Sequence, residues 1–371
     1  MAQTIITTSA AQTKKKWAGA LFNSSVPESY WGSHFMKEGS AESAPNAPIH
    51  LITDLEKDSG DEVNFDIYAQ LTGSPTYGDD NLEGNEESLT PYSDKILINQ
   101  VRKATDSGGE MTRKRTTNNH RMICRNKLTD WWSRFFDEAV FMNISGARGS
   151  NADYILPTAS TAAIEGQALV ARSSGNIIYS GAATSKASLV AGDKFSLTSI
   201  DKAVTKAETE GGGSDGVIRI TPLRIDGVDK YVCLVHNYQE HDMRTSTTTG
   251  QWLDIQKAAT TNNGTKNPIF TGSLGEYRGV VLHKHNKVTR FKDYGAGNVA
   301  AARAIFMGRQ AMVAAFGSPA NGLRFDWAEE WRDYKNRLGI ATKCIVGLKR
   351  PQFNSNDVNS IVIDSAAAQP Y

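Results

Sequence analysis

The sequence lacks any long hydrophobic run. Nowhere in its 371 residues do about 18 apolar residues follow one another, which is the length that a membrane-spanning helix needs. The N-terminal stretch MAQTIITTSAAQTKKKW also contains no apolar core of the kind found in an export signal. We therefore expect a protein that is made and works in a cytosol and does not enter a membrane.

Cysteine is scarce as well. The chain has three cysteines, Cys124, Cys233 and Cys344, which are scattered along the sequence and odd in number. This usage argues against a disulfide framework and against a cysteine-rich metal site. We predict that all three are buried or inert thiols.

An excess of charge of one sign is missing too. With 41 basic and 40 acidic residues, the chain has a formal net charge of +1. Proteins that hold nucleic acid through its phosphates need clustered positive charge, and only short clusters occur here, at Lys14-Lys15-Lys16 and Arg113-Lys114-Arg115. Near-neutrality therefore argues against a protein that binds or condenses nucleic acid through its phosphates.

Motifs of the common enzyme and metal-site classes are absent or incomplete. There is no phosphate loop, no dinucleotide fingerprint, no His-Glu-x-x-His and no convincing triad spacing. Residues 212–216 match G-x-S-x-G, but that nucleophile elbow needs a preceding strand and a following helix, whereas the predicted order here is helix, turn and strand. We expect no catalytic residue and no cofactor, and we interpret these glycines as a turn.

Two patterns resemble metal sites. His283 and His285 share one face of a predicted strand, but no third ligand is identifiable nearby, so we interpret them as surface or interface histidines. The acidic stretch that begins at Asp79 follows the calcium-loop spacing, yet Thr90 occupies the position of the final bidentate Glu and no helices flank the loop. We predict no metal site.

What the sequence does contain is a pair of adjoining charge blocks. Residues 54–94 hold twelve acidic residues and one Lys, whereas residues 95–134 hold ten basic residues and three acidic ones. A neutral chain whose charge lies in blocks is better suited to docking against copies of itself than to binding a polyanion. The candidate inter-subunit contacts are acidic on one side and basic on the other: Asp79, Asp80, Glu83, Glu86 and Glu87 against Arg113, Lys114 and Arg115.

The acidic candidates lie at the tip of a predicted hairpin. Apolar residues alternate along residues 63–71, the run ends at the turn-forming Gly73-Ser74-Pro75, and residues 95–101 form a second strand-like run. A two-stranded hairpin is barely stable alone, and its exposed edges favour pairing, so we expect a neighbouring subunit to support it.

The rest of the chain predicts an α+β fold. Apolar residues at spacings of three and four predict a long helix at residues 117–143. Residues 1–60 are polar and include three prolines, so we expect an extended arm that contributes no core and is ordered mainly by neighbours. Further helices are expected at 197–210 and 299–316, and strands at 217–220, 230–235, 279–282, 340–348 and 361–363.

Several runs of residues match a known family. The hairpin with LTGSPTYGDDNLEGNEESLTPYSDKILINQ is followed in order by ISGARG at residues 144–149, MGRQA at 307–311, residues 327–347 and then GLKRPQFN. These runs, which together cover roughly residues 60–365, resemble the major capsid proteins of tailed bacteriophages, most closely the N-four-like podophage capsid family.

The resemblance implies a shell subunit with the Hong Kong 97-type (HK-97-like) fold. Its expected parts are an N-terminal arm (1–60), an extended hairpin loop (61–107), a spine helix region of the peripheral domain (108–150), a mainly axial domain with returning peripheral segments (151–330) and C-terminal strands (331–371). It also implies a homo-oligomer of hexamers and pentamers that forms an icosahedral shell around double-stranded DNA without sequence-specific binding. Portal protein and scaffolding or decoration proteins are the implied partners, the virion is the implied location, and the host cytoplasm is the implied place of assembly.

Two other classes of function stay open from the sequence. A tail or decoration protein of a phage would also self-associate, but as trimers or rings of fixed size, and an enzyme of an unrecognised class is the less favoured alternative. Particle size separates these possibilities.

Overall fold

The structure, a computed structural model, describes residues 29–39, 45–53, 60–68, 71, 73–89, 91–116, 118–209, 220–225, 227–246, 275–318 and 324–371. The α-helices in this part are α1 (Tyr30–His34), α2 (Glu110–Arg115), α3 (His120–Ser145), α4 (Leu197–Thr209) and α5 (Asn237–Thr245). The strands are β1 (Met36–Gly39), β2 (Ile49–Ile52), β3 (Glu62–Tyr68), β4 (Pro91–Leu97), β5 (Asn99–Asp106), β6 (Ala162–Ile164), β7 (Gln167–Ala168), β8 (Ile177–Tyr179), β9 (Leu223–Ile225), β10 (Val228–Val235), β11 (Gly275–Tyr277), β12 (Val280–Lys284), β13 (Arg290–Tyr294), β14 (Val299–Met307), β15 (Met312–Gly317), β16 (Phe325–Arg332), β17 (Arg337–Lys349), β18 (Gln352–Phe353), β19 (Asn356–Asp357) and β20 (Ser360–Ala366). The predicted α+β class is confirmed.

The strands form two main sheets. In the first sheet the long strand β17 pairs antiparallel with β5, β15 and β16, and β15 continues through parallel pairing into β2 and β1. In the second sheet the order is β11-β12-β10-β14-β20-β8, with β13 added to β14 and β9 to β10. The hairpin β3–β4 extends from the first sheet.

The long helix α3 is the predicted one, displaced by a few residues. Asn119 caps its N-terminus by accepting a hydrogen bond from the Met122 amide, and Gly146 ends it in the left-handed conformation with φ 71°. The side chain of Trp132 is fully buried against the first sheet, where its Nε1 donates to Thr342 Oγ1 at 2.8 Å. We call α3 the spine helix.

The expectation that residues 1–60 contribute no core is wrong for two stretches, 29–39 and 45–53. Trp31 is fully buried, with its ring centroid 4.9 Å from that of Phe141 on the spine helix. Strand β2 is an interior strand between β1 and β15, and its residues are buried. The polar composition led to the wrong expectation because a few large apolar residues are enough to join a core when distant segments of the chain provide the rest of it. Residues 1–28, 40–44 and 54–59, including the Lys14 cluster, lie outside the described part.

The helix predicted at residues 299–316 is also wrong. Two strands, β14 and β15, occupy this stretch. Their residues are buried on both faces of their sheets, apart from the first two of β14, so the apolar run has no alternation that would distinguish a strand from a buried helix. The prediction at 197–210 is confirmed as α4 over the described residues. Residues 212–216 lie outside the described part.

The three cysteines are buried and free, as predicted. Burial raises the pKa of the Cys233 thiol to about 12. Within the described ranges, no helix has the length and hydropathy that crossing a membrane requires.

The burial of Trp31 gives a test of the corrected arm. Replacing Trp31 with Ala removes a fully buried indole next to Phe141, and we expect the free energy of unfolding of the isolated subunit to fall by about 3–5 kcal/mol. Urea denaturation followed by circular dichroism measures this change. Trp31→Phe, which keeps most of the apolar volume, should lose clearly less. Equal stability of Trp31→Ala and wild type would contradict the packing of this segment.

Candidate inter-subunit site

The predicted hairpin is present. Strands β3 and β4 pair antiparallel from Glu62 opposite Leu97 to Tyr68 opposite Pro91. Residues 71 and 73–89, which form its tip, contain neither helix nor strand. The predicted second strand at 95–101 is divided at Ile98, because β4 ends there and β5 begins a new pairing with β17.

The base of the hairpin is fixed to its own subunit. Asp94 pairs with the Lys349 ammonium and accepts a second hydrogen bond from the Gln352 amide at 3.1 Å. Ile96 is fully buried in an apolar cluster that joins the hairpin to the first sheet. Gly347 allows the close approach, since a Cβ at this position would lie 2.3 Å from the Leu97 carbonyl oxygen.

The tip carries the acidic candidates on its surface. The side chains of Asp79, Asp80 and Glu83 are exposed. Glu86 accepts a hydrogen bond from the Gly84 amide at 3.4 Å, and Glu87 accepts one from the Gly73 amide at 2.6 Å. Glu87 therefore helps to close the tip on itself, in addition to any contact it makes with a neighbour.

Large apolar side chains are exposed among these acids. Monomeric soluble proteins seldom expose contiguous apolar patches, and such patches mark interaction surfaces. These apolar residues were not among the predicted contacts, although their position within an acidic tip is visible in the sequence. Their exposed fractions exceed half: Leu71 62%, Tyr77 74%, Leu82 63% and Leu89 61%.

The basic candidates lie on the short helix α2. Lys114 and Arg115 are exposed, whereas Arg113 is half-buried, with its guanidinium 5.0 Å above the ring centroid of Trp331. Arg113 Nη1 also donates to the Gly108 carbonyl at 3.4 Å. The structure therefore presents two of the three basic side chains outward and uses the third within the subunit.

Part of each charge block is neutralised inside the subunit. Asp94 belongs to the acidic block and pairs with Lys349, and Lys95 of the basic block lies 3.0 Å from Glu62 of the acidic block. Fewer charges are thus available for a neighbour than the block totals suggest.

The two histidines of the apparent metal pattern pack inside the subunit. The His285 ring stacks on Phe141 at 5.1 Å and lies 4.5 Å from Tyr30, while His283 lies 5.3 Å from Phe35. Burial lowers the pKa of His285 to about 4. Both rings are half-buried against aromatic side chains of their own subunit, and a contact of either ring with a neighbouring subunit stays a prediction. Among the described residues, no group of three or more His, Cys, Asp or Glu could hold a metal ion.

Three buried arginines hold the C-terminal end of the spine helix. Arg303 Nη1 donates to the Ser145 carbonyl at 2.7 Å, Arg172 Nη1 donates to Ile144 at 3.2 Å, and Arg350 Nη1 donates to Asn143 at 3.2 Å. The last carbonyls of a helix have no partner within the helix and carry partial negative charge, so arginine side chains satisfy both needs. Arg303 lies in β14 of the second sheet, Arg172 lies in a loop, and Arg350 follows directly after β17 of the first sheet.

Two buried aspartates neutralise these arginines. Asp364 accepts from Arg303 Nε and Nη2 at 2.8 Å each, and Asp357 accepts from Arg350 Nε at 2.7 Å and lies 3.2 Å from Arg172 Nε. Burial lowers the pKa of Arg172 to about 9 and also lowers that of Arg350. Burial would lower the pKa of Arg303 too, but its pairing with Asp364 raises it on balance. We call these five residues the arginine joint.

The arginine joint explains two of the sequence motifs. In ISGARG, Ser145 provides a capped carbonyl, and a Cβ on Gly146 would lie 2.7 Å from the Val170 carbonyl oxygen and 2.9 Å from Arg350 Nη1. In GLKRPQFN, Gly347 and Lys349 fix the hairpin base and Arg350 caps the helix. These motif residues hold the subunit together.

Known proteins share this arrangement. The capsid of Ralstonia phage GP4 is similar over 100% of both chains, with 42% identity and a TM-score of 0.81. The capsid protein of Cyanophage Pam1 matches 92% of this chain and 93% of its own in fold alone, with 19% identity and a TM-score of 0.72. The major capsid protein of Pseudomonas phage KPP25 is 28% identical over 337 residues, which cover 84% of this chain and 83% of that protein.

A spine helix between two sheets, with an extended hairpin, defines a shell subunit of the Hong Kong 97 type. A family model described as "Phage capsid protein" matches residues 5–369, and the chain belongs to this family. It is a major capsid protein of a tailed bacteriophage and a component of the virion. The closer likeness to the N-four-like group stays a prediction.

The arginine joint predicts a large loss of stability when one partner is removed. Arg303→Met leaves Asp364 buried without its cation and uncaps Ser145, so we expect the free energy of unfolding to fall by about 3–5 kcal/mol. Urea denaturation of the isolated subunit measures it. In Arg303→Met/Asp364→Leu the unpaired charge is gone, and part of the loss should be recovered. Equal losses in the single and double variants would show that the charge pairing is not the cause.

A second prediction concerns Asp137 on the spine helix. Burial raises the pKa of this carboxyl from 3.8 to about 6, although nearby Lys287 acts to lower it. A raised carboxyl pKa means that the folded state takes up the proton first, so this group's contribution is present at low pH and is lost as pH rises through about 4–6.

Asp137→Asn removes this titration while keeping an oxygen that can accept from the Trp31 amide, 3.5 Å away in wild type. Relative to the variant, wild type should lose about 2.4 kcal/mol of unfolding free energy between pH 4 and pH 7, since a pKa unit corresponds to about 1.4 kcal/mol and a small part of the loss has already occurred at pH 4. Denaturation of both proteins across this pH range measures the difference. Parallel pH profiles would contradict the assignment.

Proposed function

We propose that this major capsid protein assembles with copies of itself into hexamers and pentamers of an icosahedral shell that encloses double-stranded DNA. The observation that supports this most directly is the hairpin: its base is fixed to the subunit by Asp94 and Lys349, whereas its exposed tip carries acidic and apolar side chains. Such a tip needs a surface that a neighbouring copy can provide.

The tip contacts are part of this proposal. Asp79, Asp80 and Glu83 of one subunit face basic residues of the next, with Lys114 and Arg115 as their partners. Exposed ion pairs contribute only about 0–1 kcal/mol each, so they give register and steering more than affinity. The exposed leucines and Tyr77 contribute apolar burial at about 25 cal/mol per Å².

The near-neutral charge of the chain bears on its contents and its partners. A shell of this composition holds DNA by enclosure, without sequence-specific binding, and a portal protein provides the entry. Scaffolding or decoration proteins act as assembly partners, and assembly takes place in the host cytoplasm. The subunit acts as a structural protein without catalysis.

The two sheets suggest the division of the subunit. In this proposal the first sheet and the spine helix form the peripheral domain, and the second sheet forms the axial domain. In this division the arm is residues 1–60, the hairpin loop is 61–107 and the spine region is 108–150. The mainly axial region is 151–330, and the C-terminal strands are 331–371. The last segment serves both domains, since β17 belongs to the first sheet and β20 to the second.

The experiment compares wild type with Asp80→Lys/Glu83→Lys by sedimentation velocity and negative-stain microscopy. Neither side chain has a described hydrogen bond or ion pair within the subunit, so we expect a folded variant whose yield of shells and rings falls about tenfold. Asp153→Lys/Glu165→Lys, which reverses two exposed acids away from the tip, is the matched control and should assemble like wild type.

Closed shells or rings of five and six wild-type subunits support the proposal. Wild-type trimers, or a wild type that stays monomeric even with a scaffolding partner, would overturn it. Normal assembly of Asp80→Lys/Glu83→Lys would be compatible with the proposed shell but would contradict docking of the hairpin tip through these charges.

A further inference from the structure

A cavity lies between the arm stretches 29–39 and 45–53 and the second sheet. One wall comes from the end of α1, from β1 and from the residues just before β2, and the other wall comes from β9, β10 and β12. Its volume is about 490 Å³. Sites for small ligands usually measure about 300–1,000 Å³, so the cavity has the size of such a site. We call it the arm cavity.

Most of the lining of the arm cavity is apolar. Phe35 and Ala47 on the arm side are buried, and so are Leu223 and Val232 on the side of the second sheet. Val281, also on the side of the second sheet, is half-buried. An apolar body that entered the cavity would be removed from water on both sides, which favours binding.

The ionisable part of the lining is basic. Lys37 and Arg224 contribute an ammonium and a guanidinium group, and the imidazoles of His34 and His283 lie with their ring centroids 6.4 Å apart. Burial, followed by the effect of His34, lowers the pKa of His283, so this ring is a neutral hydrogen-bonding group near pH 7. Among the described residues that line the cavity there is no Asp or Glu. The lining therefore favours a ligand with negative charge.

The acids closest in the chain to these cations do not neutralise them well. Glu38 follows Lys37 in β1, but successive side chains of a strand point to opposite faces, and Glu38 Oε1 accepts from Arg324 Nη2 at 2.6 Å. Asp229 Oδ1 lies 3.8 Å from Arg224 Nε, and both side chains are more than half exposed. Ion pairs of this exposed kind contribute little. An anion in the cavity can therefore compete for Arg224 and pair with Lys37.

Contacts between the two walls hold the cavity in shape. Asn46 Nδ2 donates to the Arg224 carbonyl at 2.6 Å, and the Arg224 amide donates to Asn46 Oδ1 at 3.2 Å. The Phe35 ring meets the His283 ring edge-on, with the centroids 5.3 Å apart. Walls that are already fixed lose little freedom when a ligand binds, so a larger part of the interaction energy appears as affinity.

We infer that the arm cavity is a binding site for a small amphiphilic anion, which is a molecule with an apolar body and one acid group. The apolar body lies against Phe35, Leu223 and Val281, and the acid group pairs with Lys37 and Arg224. Because the walls belong to two separate parts of the chain, the ligand ties the arm to the second sheet and stabilises the folded subunit. This site goes beyond the proposed shell function and does not depend on it.

The test measures binding of phenylbutyrate to the full chain by isothermal titration calorimetry. We expect one site per chain with a dissociation constant on the order of 100 µM, which is ordinary for a ligand of this size. Phenylbutanol has the same apolar body without the charge and should bind at least about fivefold more weakly. Phenylbutylamine reverses the charge and should bind more weakly than the alcohol.

Two pairs of substitutions test the role of the cations. Lys37→Gln/Arg224→Gln removes both charges at the cavity, so the dissociation constant of phenylbutyrate should rise at least about tenfold while that of phenylbutanol stays the same. Lys335→Gln/Arg337→Gln removes two exposed charges outside the lining and is the matched control. It should bind phenylbutyrate like wild type.

A third variant tests the place of the apolar body. Val281→Phe adds volume inside the cavity and should weaken phenylbutyrate and phenylbutanol alike, by at least about tenfold. Circular dichroism and urea denaturation check that this variant is folded. Lys37 and Arg224 are exposed, so their glutamine variant stays folded and decides the test even if Val281→Phe does not fold.

The outcomes divide clearly. Binding of phenylbutyrate that is weakened by Lys37→Gln/Arg224→Gln and unchanged in the control supports the inference. Equal binding of the acid, the alcohol and the amine would overturn it, and so would binding that the loss of both cations leaves unchanged, or the absence of binding at millimolar concentration. None of these results bears on shell assembly, which sedimentation velocity measures separately.

Discussion

The capping of one helix end by buried arginines is the interaction on which the rest of the subunit depends. The spine helix ends where the two sheets meet, and its last carbonyls would be buried without partners if Arg172, Arg303 and Arg350 did not donate to them. Each arginine is paired with Asp357 or Asp364, so the charges are neutralised where they lie. Because these partners come from both sheets, the helix and the sheets are fixed relative to one another at a single point.

Strand β17 connects this fixed point to a distant part of the same subunit. Its last residues lie beside Arg350 and the hairpin base, and its first residue, Arg337, follows the turn after β16. Along its length β17 pairs with β5, β15 and β16, so one strand holds the hairpin base, the end of the spine helix and the β16–β17 turn in a single sheet.

The sequence predicted those elements whose signal is local. The spine helix followed from apolar spacing and the hairpin from alternation beside Gly73-Ser74-Pro75, and both are confirmed. Strand β14 was predicted as a helix because a strand buried on both faces shows no alternation of apolar and polar residues. The pairing of Arg303, which lies in this strand, with Asp364 could not be predicted from the sequence either. The arginine joint could not be predicted, since it gathers residues that are far apart in the chain and depends on pairing that only the folded sheets create.

Strand β2 has a consequence for how a subunit is made. It pairs with β15, so a residue near the start of the chain, Ile49, finds its partner Met312 only after most of the chain has been synthesised. The hairpin base likewise cannot form before Lys349 has been synthesised. Contacts of such large sequence separation form late. A growing chain on the ribosome therefore has no fixed hairpin base until its C-terminal strands have emerged.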